Sequence, residues 1–245
     1  MAIENNRYIR IQGEAVCAVE EVVHNRTTLP EWLAAIRKLE PTTLTTPVLP
    51  EGCALFAQKG TEQLVIINQP AGVKKVIWRT AGYRDMEQRA KTRWQLAVPP
   101  HVFLLVFRGE ALKSSHLYFV PVPITSEKDT VYRTGLANIY GRNEGEIPTA
   151  ICTGSIRLDV KASLASRCQQ FITSFWETEF NDDIHADINP RSQYYIFSKD
   201  TPKQFVNLNA WEKATTDEPD FLTKMDWPFK PLCTVSQILN ERWKV

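Results

Sequence analysis

The chain has 245 residues, which fits one α+β domain with long connections or two small domains and is ample for a real hydrophobic core. Its 29 basic and 28 acidic side chains nearly cancel, which excludes a strong overall field that would gather nucleic acid or an anionic membrane surface. The cysteines Cys17, Cys53, Cys152, Cys168 and Cys233 are scattered and odd in number, and no Cys-x-x-Cys pair or cysteine–histidine cluster occurs, so neither a disulfide framework, a metal nor a cofactor is expected.

The opening Met1-Ala-Ile-Glu-Asn-Asn-Arg7 carries charge and amides where a secretory signal would place a long apolar stretch. No segment reaches the length of an uninterrupted apolar span, so a soluble cytoplasmic protein is expected. Residues 1–28 read as an N-terminal extension. From Leu29 to Leu39 the spacing of Leu29, Trp32, Leu33 and Ile36 predicts a short helix, with Thr28 as its cap and Pro41 discouraging continuation. The prolines and threonines of 41–50 form an extended linker. Cys53–Ala57, Gln63–Ile67 and Val73–Trp78 then read as strands separated by Gly60 and Pro70-Ala-Gly72, the pattern of an antiparallel meander.

Trp94–Val98 and Val102–Phe107 continue the β-rich region across Pro99-Pro100, and their apolar side chains are expected to cover one face. Leu117–Val122 supplies a further strand, ending near Pro121, whose missing N–H removes a ladder bond. Leu164, Cys168, Phe171, Ile172, Phe175, Trp176 and Phe180 give Ser163–Phe180 an apolar surface at mostly helical spacing. Tyr194–Phe197 reads as a strand and Val235–Trp243 as a terminal helix.

Between these elements, Thr130–Asp159 breaks regularity with Gly135, Gly141, Gly145 and Pro148, the kind of long connection in which a rigid sheet holds functional groups. It contains Glu146-Ile-Pro-Thr-Ala-Ile-Cys-Thr-Gly154, where a thiol stands between a short apolar approach and a Thr-Gly exit. Cys152 reads either as a nucleophile presented at a loop edge or as a small buried hydrophobe.

The segments Leu136-Ala-Asn-Ile-Tyr140 and Ala150-Ile-Cys-Thr-Gly154 resemble bacterial proteins of the ubiquitin-conjugating (E2-like) superfamily, especially the group of B components of plasmid-associated PRTRC systems. Family members carry histidine-proline-asparagine-isoleucine shortly before an isoleucine-cysteine-leucine segment. Ala137-Asn138-Ile139 and Ile151-Cys152-Thr153 look like the corresponding pieces, with Leu136 and Ala137 in place of the family's histidine and proline and a longer separation from Asn138 to Cys152. The resemblance covers residues 29–180 and implies an α+β fold with an antiparallel β-meander flanked by helices, followed by a C-terminal elaboration over 181–245.

The resemblance also implies chemistry. Cys152 would accept a ubiquitin-like modifier as a thioester from an E1 or ThiF-like activating enzyme and pass it to an amine of a protein substrate, since a thiolate is both a good nucleophile and a tolerable leaving group. Asn138 would donate to the developing oxyanion, or merely shape the turn, and the backbone amides near Thr153 and Gly154 are the alternative donors. Farther on, Glu179, Asp182 and Asp183 would orient the amine and His185 exchange a proton, against a reading of that stretch as a solvated turn. Two rival functions stand beside the carrier: a catalytically inactive E2-like binding module, and a structural or assembly protein in which Cys152 is buried.

Overall fold

The structure is a computed structural model. It describes residues 6–12, 15–21, 47–79, 91–132, 134, 136, 138–140, 150–154, 156–180, 203–205, 208–226 and 231–243. The helix expected at Leu29–Leu39, most of the linker after it and the strand expected at Tyr194–Phe197 lie outside the described residues.

A mixed α+β fold is built on a large, mainly antiparallel sheet. Its strands in chain order are β1 (Asn6–Gln12), β2 (Ala15–Glu21), β3 (Cys53–Lys59) and β4 (Glu62–Gln69). After these come β7 (His101–Arg108), β8 (Ala111–Phe119), β9 (Thr130–Tyr132), β10 (Ile139–Tyr140), β11 (Ala150–Ile151) and β13 (Pro231–Thr234). The spatial order is β10-β11-β8-β7-β4-β3-β1-β2, with β9 bridging β8 and β13. A smaller sheet has the order β12-β5-β6, from β5 (Gly72–Arg79), β6 (Lys91–Val98) and β12 (Glu179–Phe180).

The expected meander is therefore corrected at its third strand. β5 does not pair with β4; it pairs with β6, while β4 pairs with β7. The two ladders are one bent ribbon. Gln69 stands opposite His101 at the end of the first, and Gly72 opposite Val98 at the start of the second. The gap on one strand holds Pro70 and on the other Pro99 and Pro100. Prolines lack the N–H that a ladder needs, so both strands break at the same level and the ribbon turns out of the large sheet there.

The apolar run of β7 covers two faces, not the one expected. Phe103, Leu105 and Phe107 join Val65, Ile67, Leu117 and Phe119 in one core, and Val102, Leu104 and Val106 join Leu64, Ile66 and Tyr118 in another. A strand buried on both sides reads as a continuous apolar stretch, which hides the alternation. The first core is closed by α1 (Leu164–Glu177), by the small sheet and by α2 (Leu208–Asp217) and α3 (Phe221–Lys224). The second is closed by α4 (Val235–Trp243), whose Val235 and Ile238 face it.

α1 forms because Leu164, Cys168, Phe171, Ile172 and Phe175 repeat at helical spacing and all are buried. Ser163 Oγ caps it by accepting from the Ser166 N–H at 3.2 Å. It ends at Thr178, earlier than expected, because Glu179 and Phe180 extend into β12 and pair parallel with Ile77 and Trp78. Arg167 fixes the other end of the helix: its buried guanidinium donates to the carbonyls of Gly109 and Glu110 and lies over the Phe107 ring at 4.8 Å.

Candidate functional site

The site grows from the shortest pairing in the large sheet. β10 and β11 contribute two residues each, with Ile139 opposite Ile151 and Tyr140 opposite Ala150. Ile139 and Ile151 are both buried in the core against α1, which fixes the hairpin's facing, and Ala150 pairs with His116 of β8, which fixes its place on the edge. The register runs one step further: the Cys152 N–H donates to the Asn138 carbonyl at 2.8 Å. Asn138 and Cys152, far apart in sequence, thus stand directly across from one another where the hairpin meets the rest of the chain.

Asn138 has φ of +64°, a left-handed backbone that asparagine tolerates better than most residues because its short amide bonds locally. It is buried, and its Nδ2 donates to the Glu179 carbonyl at 2.9 Å. Glu179 opens β12, so this one amide ties the edge of the large sheet to the small sheet. Asn138 thus stands at a turn with its amide engaged. Its side-chain donor points at a backbone carbonyl.

After Cys152 the chain turns at once. The Ile156 N–H donates to Thr153 O at 2.7 Å, and Gly154, with φ of +40°, takes the position where a positive φ is needed. Thr153 and Gly154 are exposed and Cys152 is half-buried. Arg157 folds back over the turn, its Nη1 3.4 Å from Gly154 O and 3.2 Å from Ile156 O. Arg157 also borders an open groove of about 640 Å³ that runs along the solvent face of α1 past Ser166, Gln170 and Thr173.

The described thiols differ in environment. Cys168 sits on the buried face of α1 with no exposed surface, and burial pushes its thiol up to about 12. Burial likewise pushes Cys53 up to about 11, the Leu55 carbonyl lowering it in part. Both are therefore poor sources of thiolate near neutral pH. Cys233 is half-buried on β13, against the opposite core from the one that holds Cys168. Cys152 is the thiol beside the exposed turn.

Of the residues singled out in the sequence, Cys152, Asn138, Thr153, Gly154 and Glu179 come together; Asp182, Asp183 and His185 lie outside the described residues. Glu179 enters through its carbonyl, a role that its side-chain type does not announce. His116, buried and stacked on Tyr118 at 6.3 Å, lies across from Ala150, two residues before the thiol. Only the register brings it there, so no sequence signal could have found it. Among the described residues no three His, Cys, Asp or Glu side chains converge on a point that could hold a metal ion, and no helix is long and apolar enough to cross a membrane.

No protein-family model matches the chain, and neither a curated protein nor a solved structure matches it.

Proposed function

We propose that the protein is an acyl carrier of the ubiquitin-conjugating kind, with Cys152 as the carrier thiol. The observation that carries the reading is the half-buried Cys152 held across from Asn138 at a sheet edge and followed by an exposed turn. The order of parts adds to it. The strands β3, β4, β7 and β8 lie side by side in antiparallel order, the thiol hairpin follows on the β8 edge, and α1 comes next and packs on the sheet. In a ubiquitin-conjugating fold the bent β5–β6 arm is an insertion between the second and third of these strands.

In the proposed reaction the Cys152 thiol loses its proton to solvent, and its sulfur attacks the thioester carbonyl that joins a ubiquitin-like modifier to a ThiF-like activating enzyme. A new carbon–sulfur bond forms and the enzyme's thiolate leaves. In the second step a substrate amine attacks the same carbonyl, loses a proton and releases the Cys152 thiolate. The oxyanion of each step needs donors aimed where charge develops. The Thr153 and Gly154 N–H groups are suited to it, since they donate to no acceptor among the described residues, whereas the Asn138 amide is engaged by Glu179 O.

That engagement favours a second reading, an inactive E2-like module that keeps the interaction surfaces without the transfer. The two separate in one experiment. Wild-type protein is incubated with activating enzyme, modifier and ATP and weighed intact without reductant. The carrier gains the mass of the modifier, loses it on addition of thiol, and gains nothing as C152A; a module binds the partners and shows no adduct while the activating enzyme is itself charged.

A further inference from the structure

The bend between the two sheets holds a buried group that the thiol chemistry does not use. His101 opens β7 just after Pro99-Pro100 and has no exposed surface. Its Nδ1 lies 2.9 Å from the Pro99 carbonyl, so Nδ1 carries the proton and donates, which leaves Nε2 as a lone pair with no hydrogen-bond partner among the described residues. The ring meets Phe103 and Trp176 edge-on at 5.7 and 5.5 Å. Trp176, near the end of α1, also has a buried Nε1 without an acceptor among the described residues, and Lys74 Nζ from β5 stands over the indole at 5.4 Å.

Three elements, β5, β7 and α1, thus meet on an imidazole, an indole and an ammonium. The residues that face His101 across its ladders, Gln69 on β4 and Phe119 on β8, carry no charge, and neither does Trp176 on α1. Among the described residues, Lys74 is the charged group that acts on the imidazole. We propose that this contact is an acid-operated catch: proton uptake by His101 sets a second cation beside Lys74 and a new N–H where no acceptor stands, and so releases the small sheet from α1.

The release reaches the thiol through bonded neighbours. β5 holds β12 at Glu179 and Phe180, Glu179 O holds the Asn138 amide, and Asn138 O holds the Cys152 N–H. Freeing β5 therefore loosens the strand that presents Cys152, whatever Cys152 carries. Burial pushes the imidazole down to about 4 from its ordinary 6.5, with Lys74 adding to the fall and the Pro99 carbonyl opposing it. Since the open form binds the proton more readily, the catch is closed above pH 6.5 and weakens as the pH falls from there toward 4. Over that window the opening equilibrium rises by up to about a hundredfold.

Hydrogen exchange of the full chain, read by mass spectrometry at steps from about pH 7 to about pH 4.5 and corrected for intrinsic rates, tests the catch. Residues 72–79, 176–180 and 150–152 are expected to lose protection together, by more than about tenfold, while the β4 and β8 amides keep theirs. His101→Asn, whose amide can still donate to Pro99 O but takes up no proton, should abolish the acid response. Should that variant fold poorly, Lys74→Met serves instead: with the neighbouring cation gone, the folded imidazole titrates higher and the response shrinks. An undiminished acid response in either folded variant overturns the catch, and so does loss of protection in β4 and β8 at the same pH as in 72–79.

Discussion

The centre of the large sheet and its β10–β11 edge are built to opposite specifications. On β7 every residue from His101 to Phe107 is buried and both neighbours pair along its length. Among the described residues the edge has two strands of two residues and two buried isoleucines, tied by the backbone bond from Cys152 to Asn138 and the side-chain bond from Asn138 to Glu179. Such a difference means that the two regions open with different free energies, the centre only on global unfolding and the edge by local excursions. A side chain on the second kind of support can be adjusted without disturbing the core.

The most damaging test of this contrast is Phe103→Ala. Phe103 is fully buried and meets Phe171 and Phe175 edge-on at 6.2 and 5.5 Å, so truncation leaves a cavity in a packed aromatic cluster. A loss of about 3–5 kcal/mol is expected, read as a fall in the urea midpoint. The contrast breaks if a substitution at the edge lowers that midpoint as far.

Thr215→Val probes a third kind of support, next in size. The outer edge of β6 is covered by α2 through side chains: Gln95 N–H donates to Glu212 Oε1 at 2.9 Å, Ala97 N–H to Thr215 Oγ1 at 2.8 Å, and Trp211 Nε1 to Ala97 O at 2.8 Å. Valine has nearly the shape of threonine and no acceptor, so it strands the buried Ala97 N–H. About 2–3 kcal/mol should be lost in urea denaturation, and Thr215→Ser, which keeps the hydroxyl, should lose much less. Equal losses for both would mean that methyl packing, not the bond to Ala97, holds α2 to the edge.

What could be read from the sequence follows the range of the interactions involved. α1, α4 and the strands around Val65, Leu96, Phe103 and Leu117 announce themselves through local periodicity and β-branched or aromatic runs; α4 is present with the bounds expected, and α1 and the strands with shifted ends. Cys168 on the apolar stripe is legible for the same reason, being wholly buried there. Partner choice is not local. That β5 leaves β4 for the small sheet depends on prolines at matching levels of two distant strands, and nothing near Val73 records it. Likewise β1 and β2, within the stretch that reads as an extension, pair with each other, and β1 pairs with β3. At the site, Asn138 and Cys152 are visible as residue types, while their opposition and the Glu179 carbonyl depend on register. The chemistry proposed for Cys152 is recorded neither in local periodicity nor in register.

Asn138 offers a smaller and more local perturbation. Asn138→Ala removes the bond to Glu179 O and also places a Cβ residue at φ of +64°, for a loss of about 2 kcal/mol in the local stability of the hairpin. Asn138→Gly removes the bond and relieves the backbone, so it should lose about 1 kcal/mol less. Exchange of the Cys152 amide, which donates to Asn138 O, reads both. The urea midpoint should move little in either variant. A midpoint shift matching that of Phe103→Ala would mean that the edge and the centre unfold as one unit.

The smallest effect is expected at Gly154, and it isolates the backbone from everything else. A Cβ built there meets nothing within 4 Å, so the strain of a side chain comes from φ of +40° alone. Gly154→Ala should therefore raise the energy of the turn by about 1 kcal/mol and leave global stability unchanged. Because the turn begins one residue after the thiol, the relaxed conformer changes how Cys152 meets solvent, and its alkylation rate should shift several-fold, about what 1 kcal/mol permits. Cys168, wholly buried, serves as the internal reference and should stay unlabelled. Gly154→Asn is the control, since asparagine accepts a left-handed backbone; it should label like the wild type. If Ala and Asn behave alike, the positive φ of Gly154 plays no part in presenting the thiol, and the Asn138 side of the hairpin alone sets its position.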